Sequence, residues 1–132
     1  MTRMTEAFNV IVAVSGTACT FLLGGWDIVL KTLVVLMAAD YLTGLAKGYI
    51  TKELSSVTGM KGILKKILIL FILIVAVALD RALGTDNCMF RTLVAFFYIS
   101  NESLSIIENA TALGVPVPEA VKARLEQLKD NK

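Results

Sequence analysis

Residues 67–79 read Ile-Leu-Ile-Leu-Phe-Ile-Leu-Ile-Val-Ala-Val-Ala-Leu, and this is the strongest apolar run in the chain. A run of this length is short for a helix that crosses about 30 Å of hydrocarbon, which needs about 20 residues. The run becomes long enough when it is extended to residues 62–83, provided that Lys65 and Lys66 reach back to the membrane interface. The stretch therefore predicts a transmembrane helix over residues 62–83.

The composition of the whole chain agrees with a lipid environment. Its 132 residues are 56% hydrophobic and only 18% charged, and their mean hydropathy is +0.73. Soluble domains average about 45–50% apolar and about 25% charged residues. A small domain leaves much of its chain at the surface. The polar residues of this chain are too few to cover such a surface. We therefore expect lipid to surround most of this protein.

Three further segments are apolar enough to be membrane helices, and they cover residues 7–24, 28–46 and 90–113. Together with residues 62–83 they predict an all-α integral membrane protein with four transmembrane helices in a domain over residues 1–113. The alternative is three spans, with residues 7–24 lying in the membrane interface or re-entrant. The turn Gly24-Gly25-Trp26-Asp27 separates the first two segments and carries an interfacial tryptophan.

The carboxyl-terminal segment, residues 114–132, predicts a short amphipathic helix that starts at Pro118. Val121, Leu125 and Leu128 recur at i, i+4 and i+7, which places them on one face. Such a tail lies on the membrane or pairs with other tails. The alternative is a solvated tail.

The distribution of charge predicts the topology. The segment 47–66 contains five lysines and a single glutamate, and the tail is also basic, so both are expected in the cytoplasm. The 80–91 connection and the 24–27 turn are close to neutral, which permits export. Both termini are therefore predicted to be cytoplasmic.

The chain lacks the residues that several classes of function require. The chain has no histidine, and Cys19 and Cys88 are far apart and not part of a C-x-x-C motif, so neither imidazole catalysis nor a metal site is expected. No phosphate-binding or nucleophile-elbow motif occurs. A net charge of +2 does not favour nucleic acid as a partner. We expect no cofactor.

Asp40 is the first polar residue whose position inside a span demands an explanation, because a carboxylate there costs about 2.5–3.5 kcal/mol on insertion scales. Thr43 and Gly44 share its helical face, and Gly44 and Gly48 form a G-x-x-x-G pair suited to close packing of another helix. Asp40 is a candidate pore-lining or gating residue. The alternative is that it pairs with a lysine or caps a neighbouring helix.

The last span carries a polar stripe at three- and four-residue spacing. Its members are candidates for lining or gating a hole: Tyr98, Asn101, Glu102, Ser105, Glu108 and Asn109. The alternative is a static hydrogen-bond network between helices, or a helix end that already lies in the cytoplasm. At the other end of the hairpin, Asp80, Arg81 and Arg91 are candidates for an ion pair that closes it.

From Gly24 onward, the order and spacing of short motifs resemble the phage lysis and toxin-secretion holins of Gram-positive bacteria and their phages, the group that includes the clostridial toxin-release holin. The motifs that carry the resemblance are Gly24-Gly25-Trp26-Asp27, Asp40-Tyr41-Leu42-Thr43-Gly44, Leu54-Ser55-Ser56, Gly59, Lys61-Gly62, Lys65-Lys66, Leu79-Asp80-Arg81, Phe96-Phe97-Tyr98, Asn101-Glu102-Ser103-Leu104-Ser105-Ile106, Glu108-Asn109 and Gly114-Val115-Pro116-Val117-Pro118.

The resemblance implies a multi-pass protein of the bacterial cytoplasmic membrane without enzymatic activity. Such holins accumulate as homo-oligomers and then open lesions through which a cytoplasmic endolysin, or in some relatives a toxin, passes, and the cell lyses. Two other hypotheses stay open. One is an antiholin or membrane anchor that acts on another membrane protein. The other is a small proton-coupled transporter, for which a membrane carboxylate such as Asp40 or Glu102 is the motivation.

Overall fold

A computed structural model of the protein describes residues 1–130, and every regular element in that range is a helix. The prediction of an all-α protein is therefore confirmed. The helices are α1 (Thr2–Leu22), α2 (Ile28–Thr51), α3 (Ser56–Leu83), α4 (Met89–Ala112) and α5 (Glu119–Asp130), with a short 3-10 turn at Asp86–Cys88 before α4.

Helices α2, α3 and α4 form a bundle in which α4 lies parallel to α2. Arg91 in the first turn of α4 bonds Asp27 at the start of α2, and Asn109 near the end of α4 bonds Thr43 in the second half of α2. Helix α3 runs in the opposite direction. An apolar core joins the three helices, and it consists of Leu30, Leu33, Met37, Leu73 and Ala95.

The Arg91 side chain organises the turn between α1 and α2. It is only 5% exposed. Its Nε donates to the Leu23 carbonyl at 2.7 Å, and its two terminal nitrogens donate to the Gly25 carbonyl and to the Asp27 carboxylate at 2.9–3.1 Å. Asp27 in turn accepts from the Leu30 N–H and so caps α2. The Arg91 guanidinium holds the pKa of Asp27 below its usual value.

The ion pair expected among Asp80, Arg81 and Arg91 is replaced by a different closure of the hairpin. The buried Asp80 carboxylate accepts from the backbone N–H groups of Phe90 and Arg91, at 2.9 and 2.8 Å, and from the Thr85 hydroxyl. The first N–H groups of a helix need an acceptor. The residue before α4, Cys88, has a left-handed backbone and supplies no side-chain cap. Asp80 therefore caps α4 from the end of α3.

Arg81 leaves the hairpin and contacts the preceding part of the chain. Its guanidinium lies 4.0 Å from the centre of the Phe21 ring and donates to the Phe21 carbonyl oxygen. This contact fixes the carboxyl end of α1 against α3, whereas α1 as a whole contains no buried residue. The charge that was expected to close the hairpin thus anchors α1.

Among the described residues, α1, α2 and α3 are long and apolar enough to cross a membrane. Helix α4 is as long as α2, but it carries the polar stripe. Length and composition therefore do not identify it as a membrane span. The predicted total of four spans therefore stays a prediction. The three-span alternative requires that residues 7–24 do not cross the membrane. Because α1 is one of the three apolar helices, this result does not favour that alternative.

Two predictions about the basic segments change in detail. The connection between α2 and α3 contains only residues 52–55, and Lys61, Lys65 and Lys66 belong to α3. The tail forms α5 from Glu119, one residue after the predicted start. Val121 is exposed, and the side chains of Leu125 and Leu128 lie outside the described part of the chain, as do residues 131–132. The apolar face of the tail therefore stays a prediction.

We expect Gly24→Ala to destabilise the fold more than Gly84→Ala. Both glycines have a left-handed backbone, which costs another residue about 1–2 kcal/mol. Only at Gly24 would a Cβ also lie 2.7 Å from the Arg91 Nε, whereas the space beside Gly84 is open. Unfolding in mild detergent, followed by the fluorescence of the single tryptophan, Trp26, measures both losses. Equal losses would contradict the role given to Arg91.

Candidate functional site

Three charged side chains from three helices meet inside the bundle, and we call them the charge cluster: Asp40 of α2, Lys66 of α3 and Glu102 of α4. The Lys66 Nζ donates to Asp40 Oδ2 and to Glu102 Oε2. The three side chains are 14%, 19% and 6% exposed in the order given. One ammonium group therefore joins two carboxylates that belong to different helices.

Asn109 extends the charge cluster toward the end of α4. Its Nδ2 donates to Asp40 Oδ1 at 3.3 Å and to the Thr43 hydroxyl at 3.0 Å. Asn109 is buried. Gly44 lies beside this amide, and a Cβ there would be 3.7 Å from Nδ2. The small residue thus leaves ordinary contact distance for the asparagine.

The charge cluster lies deep along the bundle. With a rise of about 1.5 Å per residue, Asp40 is roughly 18 Å along α2 from Ile28, and Glu102 is roughly 16 Å along α4 from Arg91. A bilayer has about 30 Å of hydrocarbon, so the charge cluster lies near the middle of α2, which is long and apolar enough to cross it. Uncompensated charges at that depth are costly, and paired ones face the protein interior. The described buried side chains include no polar atom without a partner.

The polar stripe of α4 is divided by the bundle. Glu102 and Asn109 are buried in the network, and Ser105 lines a cleft beside it. Tyr98 and Asn101 are half-buried, and Tyr98 packs on the apolar core, while Glu108 is exposed. Within one chain, the arrangement is the static inter-helix network that the sequence left open as an alternative. Pore lining by these residues stays a prediction.

Lys66 bonds inside the bundle, whereas the sequence predicts that it reaches the membrane interface. A signal for its true position exists in the hairpin geometry. Asp40 lies 11 residues before Thr51, the last residue of α2, and Lys66 lies 10 residues after Ser56, the first residue of α3. The two residues are therefore at nearly equal height on antiparallel helices. The lysine pairing that was open for Asp40 is the observed one.

A cleft of about 500 Å³ runs between α2 and α3 from the 52–55 connection to the charge cluster. Four glycines line it, namely Gly44, Gly48, Gly59 and Gly62, and Asp40 and Lys66 line it as well. Of the two glycines predicted to pack a helix, Gly44 approaches α4 at Asn109, whereas Gly48 lies against Leu54 of the connection. The cleft therefore leads to the charged groups from the end of the bundle that carries the connection.

Comparison with known proteins gives a consistent result. The sequence model of the bacteriophage holin family matches residues 17–130. An uncharacterized 14.9 kDa protein from the nagH 3′ region of Clostridium perfringens is 56% identical, with 89% of each chain covered. A Listeria monocytogenes protein is 46% identical (81% of this chain, 76% of the relative), and Bacillus subtilis YqxH is 36% identical (87% and 81%). No solved structure matches.

We expect Lys66→Met to cost about 3–5 kcal/mol of stability, since it leaves two buried carboxylates without their cation. The matched control is Lys65→Met, which removes the same charge from the exposed neighbouring position and should cost little. The triple variant Asp40→Asn, Lys66→Met, Glu102→Gln should be more stable than Lys66→Met alone, because no unpaired charge remains. Unfolding in detergent measures all three variants. A Lys66→Met loss no larger than that of Lys65→Met would contradict the pairing.

Proposed function

The chain belongs to the bacteriophage holin family, and from this premise we propose that it is a holin. It inserts in the cytoplasmic membrane, assembles with further copies of itself and opens a non-selective hole without enzymatic activity of its own. The passenger is a cytoplasmic endolysin or a toxin, and lysis follows. The observation that carries the proposal is the family match over residues 17–130, which includes the whole three-helix bundle.

The proposal includes four crossings with both termini in the cytoplasm. Helix α4 lies beside α2 from Asp27 and Arg91 at one end to Thr43 and Asn109 at the other, so it crosses wherever α2 crosses. The connection 52–55 and the carboxyl end of α4 then share one side of the membrane. Lysines flank the connection, and the tail that follows α4 carries Lys122 and Arg124, which favours the cytoplasmic side for both.

In this proposal, the closed state is the bundle before a hole opens. The charge cluster holds the bundle in that state, and we call it the latch. With Lys66 bonded to both carboxylates, the polar face of α4 is directed into its own bundle and away from lipid. Exposing that face to hydrocarbon is too costly, since polar groups there need a partner or water. The face therefore opens only when several copies rearrange around water, which couples opening to oligomer formation.

The first test is expression in bacteria together with a muralytic enzyme that lacks an export signal. Turbidity and membrane potential are recorded together. We expect sudden depolarisation and lysis that require both proteins. Inserted protein that is harmless, alone and with the enzyme, would contradict the proposal and favour the antiholin or anchor. Saturable, pH-dependent solute uptake without enzyme release would favour the transporter.

We expect Glu102→Gln to advance the time of lysis at an unchanged protein level, because Lys66 then holds only one carboxylate and the latch is weaker. Glu119→Gln is the control, since it removes the same charge from an exposed position on α5. Immunoblotting of membranes confirms equal amounts. Lysis at the same time for Glu102→Gln and the unsubstituted chain would argue against a latch.

Maleimide labelling of exposed cysteines tests the topology. In a Cys19→Ser chain, only Cys88 remains, and it lies in the connection before α4. We expect a membrane-impermeant maleimide to label Cys88 in intact spheroplasts. A Cys19→Ser, Cys88→Ser, Glu53→Cys chain carries its thiol at the other end of the bundle and should be labelled only after permeabilisation. The reverse pattern would invert the proposed orientation.

A further inference from the structure

We propose that the mouth of the cleft between α2 and α3 binds the phosphate headgroup of an anionic phospholipid. This site goes beyond the hole-forming function, since it requires only that the bundle is inserted in a membrane. The occupant is defined by its chemistry, which is a phosphodiester with net negative charge attached to acyl chains.

The charge of the cleft points to an anion. Four lysines line it, and they are Lys47, Lys61, Lys65 and Lys66. Two carboxylates, Asp40 and Glu53, line it as well. The lining therefore carries net positive charge, and the cationic groups come from both helices. A phosphate between α2 and α3 would meet lysines on two sides.

Three of these lysines are available to a ligand. Lys66 is committed to Asp40 and Glu102 in the charge cluster. Within the side chains that the structure describes, Lys47, Lys61 and Lys65 take part in no ion pair. Lys61 and Lys65 are one turn apart on the same face of α3 and both are exposed. They form the rim of the cleft, with Lys47 opposite.

The position of the cleft selects a lipid as the source of the phosphate. It opens toward the end of the bundle that carries the 52–55 connection. Lys61 and Lys65 lie roughly 8 and 14 Å along α3 from Ser56, and their long, exposed side chains can extend along the helix toward the headgroups. Exposed apolar side chains flank the lysines on α3, among them Val57, Met60 and Leu64, which are 66%, 58% and 51% exposed. The acyl chains of a lipid would pack on such residues, whereas inorganic phosphate has no apolar part that could contact them. Basic pockets between membrane helices on the cytoplasmic side are known to take anionic headgroups.

Among the described residues, the opposite end of the bundle has fewer available cations. Arg91 is engaged by Asp27 and two backbone carbonyls and Arg81 by Phe21, which leaves Lys31 as a single exposed lysine. Asp27 and Asp80 add negative charge there. Binding of an anionic lipid is therefore expected to be one-sided, at the end that carries the 52–55 connection.

Native mass spectrometry of the full chain released from detergent tests the site. The probes are phosphatidylglycerol, phosphatidylcholine of the same chain length, and inorganic phosphate. We expect retained phosphatidylglycerol and little phosphatidylcholine. In Lys61→Gln, Lys65→Gln the affinity for phosphatidylglycerol should fall roughly thirtyfold, the equivalent of about 1 kcal/mol for each lysine near a membrane surface. Lys31→Gln, Lys122→Gln removes the same net charge away from the cleft and should retain the lipid.

Three outcomes would overturn the inference. Equal retention of phosphatidylglycerol by the cleft variant and its control would show that the cleft is not the site. Equal retention of both lipids would show that the headgroup charge is not recognised. Displacement of the lipid by excess inorganic phosphate would assign the site to free phosphate. Because the assay needs no lysis, a failure of the holin proposal leaves its result unaffected, and the fluorescence of Trp26 reports whether the variants are folded.

Discussion

The bundle depends on one ammonium group held between two carboxylates in its interior. In water such a bridge would contribute little, since exposed ion pairs are worth about 0–1 kcal/mol. Between α2, α3 and α4 the alternative to pairing is an uncompensated charge in hydrocarbon. The three helices are therefore constrained to the register in which Asp40, Lys66 and Glu102 meet. The apolar contacts around Leu33 and Leu73 fill the bundle, but apolar side chains alone specify register weakly.

Helix termini are fixed separately, at the end of the bundle away from the cleft. Arg91 binds the turn between α1 and α2, and Asp80 caps α4 across the hairpin. Both side chains satisfy backbone groups that irregular segments leave open, which is what a membrane interior requires. The bundle thus has a deep ionic lock and a polar clamp at one end. At the opposite end, the glycine-lined cleft separates α2 from α3, and the described polar contacts there include the Ser55 cap of α3 and the hydrogen bond that the Tyr41 hydroxyl donates to the Gly59 carbonyl. This end is the part best suited to a ligand or to rearrangement.

The sequence predicted the helices well because apolar run length is a strong signal in a membrane protein. Residues 28–46 and 62–83 lie within α2 and α3, and residues 90–113 correspond to α4 within one residue at each end. Residues 7–24 overlap α1, which begins at Thr2 and ends at Leu22. Side-chain partners were harder to predict. Proximity in the chain predicts a pair between Arg91 and Asp80, whereas Arg91 pairs with Asp27, which is far away in sequence and is reached only through the parallel packing of α2 and α4. Periodicity does not show which neighbouring helix a lysine side chain contacts, so the sequence alone predicts that Lys66 reaches the membrane interface.

The polar face of α4 connects the fold with the proposed function. In a single chain, Glu102 and Asn109 of this face are directed toward α2 and α3, whereas Glu108 is exposed. Under the proposed function, such a face has a role, since a hole needs polar walls. The proposed latch of buried charges would also give opening a threshold, because partial opening leaves charges unpaired at high cost.

Solid-state NMR distance measurement between the Lys66 side-chain nitrogen and carboxyl carbons tests the central claim most directly. The closed protein would be labelled with ¹⁵N at lysine Nζ and ¹³C at aspartate and glutamate carboxyls, in liposomes, with Lys66→Met used to assign the signal. The account predicts hydrogen-bond contact of the Lys66 Nζ with the carboxyls of both Asp40 and Glu102. A Lys66 Nζ that contacts only water or lipid phosphorus would contradict it.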